Sequence, residues 1–310
     1  MSKHPIWCVL FSLFVSILAT PVRAENPQHV TQLLETKICR NCDLSGADLS
    51  GQNLNNASLV GSNLMNANLD GADLTYADLS GANLTLASLD GVDLEYAMLR
   101  QTVLIRANLN NSNFSNTDLR NAILNKAKMS NVNLSDSNLS QIDLSETDLS
   151  QSNLRNTNLI EANLRSANLS NASLQDSKLN DANLSLANLQ DANLSGANLS
   201  YADLIRAVML RTILENTNLG GANLRAAQMS DAILENAILR RTVLRNANMR
   251  ATNLRNADLS YADMREANLF DADLEGASLE GVELETVILC RAKLPDASIS
   301  DQGCRRRGEQ

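Results

Sequence analysis

The chain of 310 residues carries a net charge of −9, which favours solubility and disfavours non-specific attraction to nucleic acid. Hydrophobic residues reach 44% while aromatics stop at 3%, although a globular core of this size normally fills its irregular space with aromatic rings. Leu and Ala supply the apolar content instead, which argues against two ordinary globular domains and for one small packing unit used many times.

At the N-terminus, Lys3 and His4 precede an apolar run from Ile6 to Ala19, followed by Pro21, Val22, Arg23 and Ala24. A basic start, a short apolar stretch and a small-x-small site describe a secretory signal peptide over 1–24, cleaved before Glu25. The run falls short of the ~20 residues that cross a bilayer, so no stable membrane insertion is expected. Cleavage discards Cys8 and leaves Cys39, Cys42, Cys290 and Cys304, an even count consistent with disulfides in an exported chain.

Residues 25–41 read as an N-terminal cap. Asn26 is placed to cap a short helix with Pro27 at its first position. Val30, Leu33 and Leu34 then share one face, which is expected to cover the structure that follows.

From Leu44 the sequence repeats every five residues, and the register runs to Ile299 over 52 positions. The occupants other than Leu are Phe114, Met129, Met209, Met229, Met249, Met264 and Ile299, all apolar. A small residue stands two positions before nearly all of them, and Asn or Asp usually stands one before, as in Ala47-Asp48-Leu49. Period five fits neither a free helix nor a simple strand. It fits a coil in which each unit makes one short side, with the Leu and the small residue inward and the remaining three residues outward. Coils paired through their backbones then satisfy the buried main-chain groups.

The pattern A-(N/D)-L-x-x is similar to that of the pentapeptide-repeat family, and the resemblance covers 42–301. It implies an all-β fold: a right-handed quadrilateral β-helix, or β-solenoid, with four units per coil. On that basis the chain makes about 13 coils and a rod about 60 Å long, at about 4.8 Å per coil. The segment from His29 to Lys37, with Cys39 and Cys42, also resembles the lead-in of exported cyanobacterial members. Residues 302–310 remain as a C-terminal tail.

Cys39 and Cys42 fall on inward positions. A redox motif would place them at a helix start, and a zinc site needs two further ligands where His29 is the one histidine after the leader. A structural disulfide or a pair of buried thiols fits the register better. Disulfides need Cα atoms within about 7 Å, so on the implied rod the pairs open within one chain are Cys39–Cys42 and Cys290–Cys304. The second would pin the tail as a C-terminal cap.

The sequence offers no nucleophile–base pair, no metal-ligand cluster and no phosphate loop, so neither an enzyme nor a cofactor is expected. Asp73 and Asp93 lie one coil apart but occupy the generic Asn/Asp slot. Two features depart from the repeat. The outward slot turns apolar at Met98, Val103, Ile123, Val208, Ile213, Ile233, Ile238, Val243 and Ile288, with Val103 stacked on Ile123 and Ile213 on Ile233. These are a candidate contact patch or a drift toward good strand formers. Charge is also segregated: 43–99 holds eight acids and no Lys or Arg, whereas 205–265 holds nine Arg against five acids.

Arg225, Arg245 and Arg265 are spaced by 20 and stack on one face of the implied coil. They are a candidate site for an acidic partner. Alternatively their stems cover the surface while Asp263, Glu266 and Glu285 offset the charge. Some family members are acidic DNA mimics that bind type II topoisomerases in the cytoplasm, which suits neither the leader nor the basic later half. The expectation is a protein-binding or scaffolding rod in the periplasm or thylakoid lumen, with an unidentified protein partner and scope for end-to-end or lateral self-association. The alternative is a structural or stress-protective envelope protein without a dedicated partner.

Overall fold

The computed structural model of the protein describes residues 26–304. The expected signal peptide, 1–24, lies outside the described residues.

One unit, Ser62 to Asn66, shows why the sequence repeats as it does. The Asn63 N–H donates to Cys42 one turn below (2.8 Å), Leu64 to Asn83 one turn above (2.7 Å), and Asn66 to Thr85 above (3.1 Å). Ser62 donates to the Leu59 carbonyl within its own turn at 3.1 Å. The fifth N–H, that of Met65, donates to the Asn63 side-chain Oδ1 at 3.3 Å. Every backbone donor of the unit is thereby satisfied, which a buried or half-buried main chain requires. The Asn/Asp slot exists to accept that fifth N–H in an Asx turn.

The slots also form the inter-turn ladder. Parallel bridges join residues 20 apart, as in Asp43↔Asn63↔Asn83, at four positions per turn. Asn side chains add a second ladder alongside: Asn113 donates to Asp93 (3.0 Å), Asn133 to Asn113 (3.1 Å) and Asn153 to Asn133 (2.9 Å). Inside, the Leu register is fully buried from Leu44 to Leu274, together with the residues two positions earlier apart from Gln52, while Leu279, Leu284 and Leu294 near the C-terminal end are partly buried. Phe114 and the Met occupants from 129 to 264 are equally buried. Serines and threonines in the small slot bond to backbone carbonyls, as Thr102 does to Leu79 at 3.0 Å.

Each unit ends on a corner residue in the left-handed region, such as Asn66 (φ 58), Tyr76 (φ 60) and Arg106 (φ 56). Asn and Gly tolerate this conformation best, yet Tyr, Arg, Lys and Leu are held in it as well, because the turns above and below fix the backbone. Thr286 does not adopt it, consistent with the high cost for a β-branched side chain. Its Oγ1 accepts the Glu266 N–H at 3.2 Å, and Glu283 drops out of the ladder.

The helix α1 spans Pro27–Thr36, with Asn26 Oδ1 accepting the Gln28 N–H at 3.1 Å and Lys37 closing it in the left-handed conformation. Leu33 is buried in the core, and Val30 packs against it. Leu34 departs from the expectation: it is 43% exposed, since its position next to Leu33 turns it about 100° around the helix. His29 Nδ1 accepts the Asp43 N–H at 3.0 Å, a donor with no turn beneath it to receive it. The Cys39–Cys42 disulfide (Cα–Cα 5.4 Å) closes the same end.

At the other end the register slips. The left-handed corner falls at Ala297 (φ 67) rather than five residues after Arg291, following a turn through Pro295. Ile299, expected inward, is therefore 66% exposed and pairs antiparallel with Lys293. The returning strand covers the last edge: Leu289 donates to Gln302 (3.1 Å), Arg291 to Ser300 (2.8 Å) and Ser300 to Ala292 (2.9 Å). Gln302 Nε2 reaches the carbonyls of Leu284 and Val287, and the Cys290–Cys304 disulfide (Cα–Cα 4.8 Å) ties the strand down. An open sheet edge invites association; here it is paired.

Candidate interaction surface

The four bridged positions per turn define four sides, taken in chain order from Asp43, Asp48, Asn53 and Ser58. The apolar slots do not gather on one of them. Val103, Ile123 and Val243 lie on the first side, Ile213 and Ile233 on the third, two sides away. Val103↔Ile123 and Ile213↔Ile233 are bridged pairs, with Ile123 39% exposed and the other three half-buried. Each apolar slot also forfeits its Asx turn, because no side-chain oxygen is present to accept the N–H two residues on.

Arg225, Arg245 and Arg265 follow the first side and share the corner between it and the second. Their environments differ. Arg265 makes a two-point pair with Asp263, Nε to Oδ1 and NH2 to Oδ2, both at 2.8 Å. Arg245 Nε donates to the same carboxylate from the turn below. Arg225 has no ion pair among the described residues. With Val243 and Glu266 the three arginines line a shallow trough of about 620 Å³. Ile123 stands about five turns, or roughly 24 Å, further down the rod from Arg225, and Val103 one turn beyond it.

Most other charges are absorbed in the same way. Asp73 and Asp78 accept the N–H and hydroxyl of Thr75 and Ser80 as slot residues. Hydrogen bonding from Arg120, with Arg100 contributing against the cost of burial, lowers the Asp118 pKa to about 2. Arg211 pairs with Asp191 (2.7 Å), and Arg255 with Glu275 (2.6 Å).

Several exposed groups escaped the sequence reading. Tyr76 and Tyr96, 20 apart and therefore on one corner, stack with ring centroids 5.0 Å apart. Tyr201 is 71% exposed and lays its ring over Gly221, where a Cβ would sit 2.6 Å from the ring. Arg165 and Arg206 join Arg225 around a second recess of about 560 Å³; the 60-residue spacing of Arg165 and Arg225 was the available signal. Among the described residues no group of three or more His, Cys, Asp or Glu is arranged to hold a metal ion. None of their helices is long and apolar enough to cross a membrane.

A family model for pentapeptide repeats matches in eight copies, at residues 39–71, 67–104, 103–141, 142–181, 177–221, 202–241, 239–269 and 267–301. Among solved structures, the chain is similar to HetL, a pentapeptide repeat protein involved in heterocyst differentiation regulation from the cyanobacterium Nostoc sp. strain PCC 7120. The identity is 35%, covering 64% of this chain and 92% of that one, with a TM-score of 0.34. It is also similar to a pentapeptide repeat protein from the Arabidopsis thaliana thylakoid lumen, at 29% identity over 33% of this chain and 70% of that one, with a TM-score of 0.32. No curated protein matches.

Proposed function

The chain belongs to the pentapeptide-repeat family, whose fold is a right-handed β-helix, and from that premise we propose a non-enzymatic rod of about 13 coils that binds or scaffolds a protein partner. Core and slot residues are consumed by the repeat, so recognition is left to the corners. The observation that carries this reading is Arg225, an exposed arginine without an ion pair among the described residues, at the open end of a column whose other two members share Asp263. A guanidinium presented this way suits a carboxylate on a partner. We place the protein in the periplasm or thylakoid lumen. The leader supports export, and two end-closing disulfides belong to an oxidising compartment.

The Asp263 clamp on Arg245 and Arg265 favours a second reading for that part of the column, in which the arginines brace successive turns of a structural envelope protein. Crosslinking in intact native cells, followed by fractionation and pull-down, separates the two. A saturable partner recovered from the exported fraction supports the binding rod. Recovery of the protein in the cytosol, or without a saturable partner, contradicts it.

A further inference from the structure

We propose that the recess ringed by Arg165, Arg206 and Arg225 binds a short acidic peptide segment carrying one apolar side chain. This deepens the protein-binding reading and rests on it.

The three arginines are exposed and line one recess of about 560 Å³, and none has an ion pair among the described residues. Elsewhere on the later rod several arginines meet carboxylates one turn away, as Arg211 does with Asp191 and Arg240 with Asp258 (3.2 Å), whereas Arg241 and Arg250 form no ion pair among the described residues. Asp203 also lines the recess, but its Oδ1 accepts the Ile205 N–H at 3.0 Å, and one carboxylate leaves the cluster positive. Guanidiniums on three of four successive turns repel one another and gain most from an anion that bridges them.

The rest of the recess defines the ligand. Leu186, 43% exposed, and the half-buried Ile205 line it beside the arginines, offering an apolar contact that a bare phosphate does not use. Along the same corner the positive stretch ends at carboxylates: Glu146, paired with Lys126 at 3.4 Å, on one side, and Asp263 and Glu266 on the other. From Arg165 to Arg225 is three turns, about 14 Å, which matches about four residues of extended chain. A long polyanion would run onto the flanking acids, and a flat anionic membrane would meet them together with the arginines. A segment of about four residues, acidic with one aliphatic side chain, satisfies all the boundaries.

The test is fluorescence anisotropy of a fluorescein-labelled pentapeptide, Glu-Asp-Leu-Asp-Glu, titrated with the full chain at low and at physiological salt. The expected result is saturable, salt-sensitive binding, weakened about tenfold or more by Arg165→Glu/Arg206→Glu/Arg225→Glu and lost when the peptide acids become amides. Arg206→Glu alone gives a smaller loss and serves if the triple variant melts early. Equal binding by the triple variant, or by the amide peptide, overturns the proposal. So does arginine-dependent binding of inorganic phosphate, duplex DNA or phosphatidylserine vesicles without peptide binding. A native partner still captured by the triple variant would sink this site while leaving the protein-binding rod intact.

Discussion

Arg265 grips Asp263 through one edge of its guanidinium, with Nε and NH2 each 2.8 Å from a different carboxylate oxygen, and Arg245 reaches the same carboxylate from the neighbouring turn. A column of three like charges thus resolves into a shared ion pair plus one unpaired arginine. Replacing Asp263 by Asn removes the countercharge while its amide oxygen still accepts the Arg265 N–H of the Asx turn. Because these charges are half-exposed, we expect a small loss of stability, under about 1 kcal/mol, that shrinks as salt screens the arginines. A salt-independent loss of several kcal/mol in denaturant titration would show that Asp263 does something other than neutralise the column.

The Asx-turn account makes a counter-intuitive prediction at Val103 and Ile123. Their slots lie between Asn83 and Asp143 on one ladder, and neither supplies an acceptor for the N–H two residues later. Val103→Asn/Ile123→Asn restores two such bonds and an unbroken amide ladder. The double variant should gain about 1 kcal/mol or more despite the lower strand propensity of Asn. A lower melting temperature would mean that the apolar pair contributes more than the Asx turns it displaces.

At the C-terminal end, Cys304→Ser releases the covalent tie on the returning strand. Solenoid stability is local to neighbouring turns, so amide exchange should accelerate at Leu289, Arg291 and Ser300, whose N–H groups face that strand or belong to it. Protection around Leu64 and Leu164 should not change. Uniform acceleration along the rod would contradict this local cap.

Asp118 is the carboxyl lowered furthest on folding, beside smaller lowerings at Asp48, Asp191, Asp258, Glu275 and Asp296. Its pKa is lowered from 3.8 to about 2, chiefly by the Arg120 hydrogen bond. A carboxylate lowered on folding contributes stability that is fully present above its unfolded pKa and is lost as pH falls through the folded value. The window is therefore from about pH 4 down to pH 2. Carboxyl carbon shifts followed by NMR should show Asp118 still ionised at pH 3, and Arg120→Ala should return its midpoint toward the ordinary value.

How much of this was legible in the sequence follows from what each residue answers to. The Leu register and its small partners answer only to the core, so a five-residue period exposes them directly. Asn26 and Pro27 obey local capping rules, and the cysteine pairs sit at opposite ends of the rod. The Asn/Asp slot, in contrast, read as merely outward, because its role lies in a backbone N–H that composition does not display. Ile299 kept the period but lost the direction, since the slip at Ala297 depends on backbone torsions. Leu34 shared an apolar stripe with Leu33 yet faces away from the core. Arg165 and Arg206 were missed because one lies three turns from Arg225 and the other one residue off its column, a neighbourhood that only the coil assembles.

The measurement that bears most directly on the binding rod is partner recovery by wild type and by Arg225→Ala/Arg245→Ala/Arg265→Ala, crosslinked in native cells and compared at equal expression. The account predicts a saturable partner for wild type and a clear drop for the triple variant, accompanied by at most a modest shift in melting temperature. Unchanged partner recovery and self-association with only the melting temperature moved would make the column structural and contradict the assignment of recognition to it.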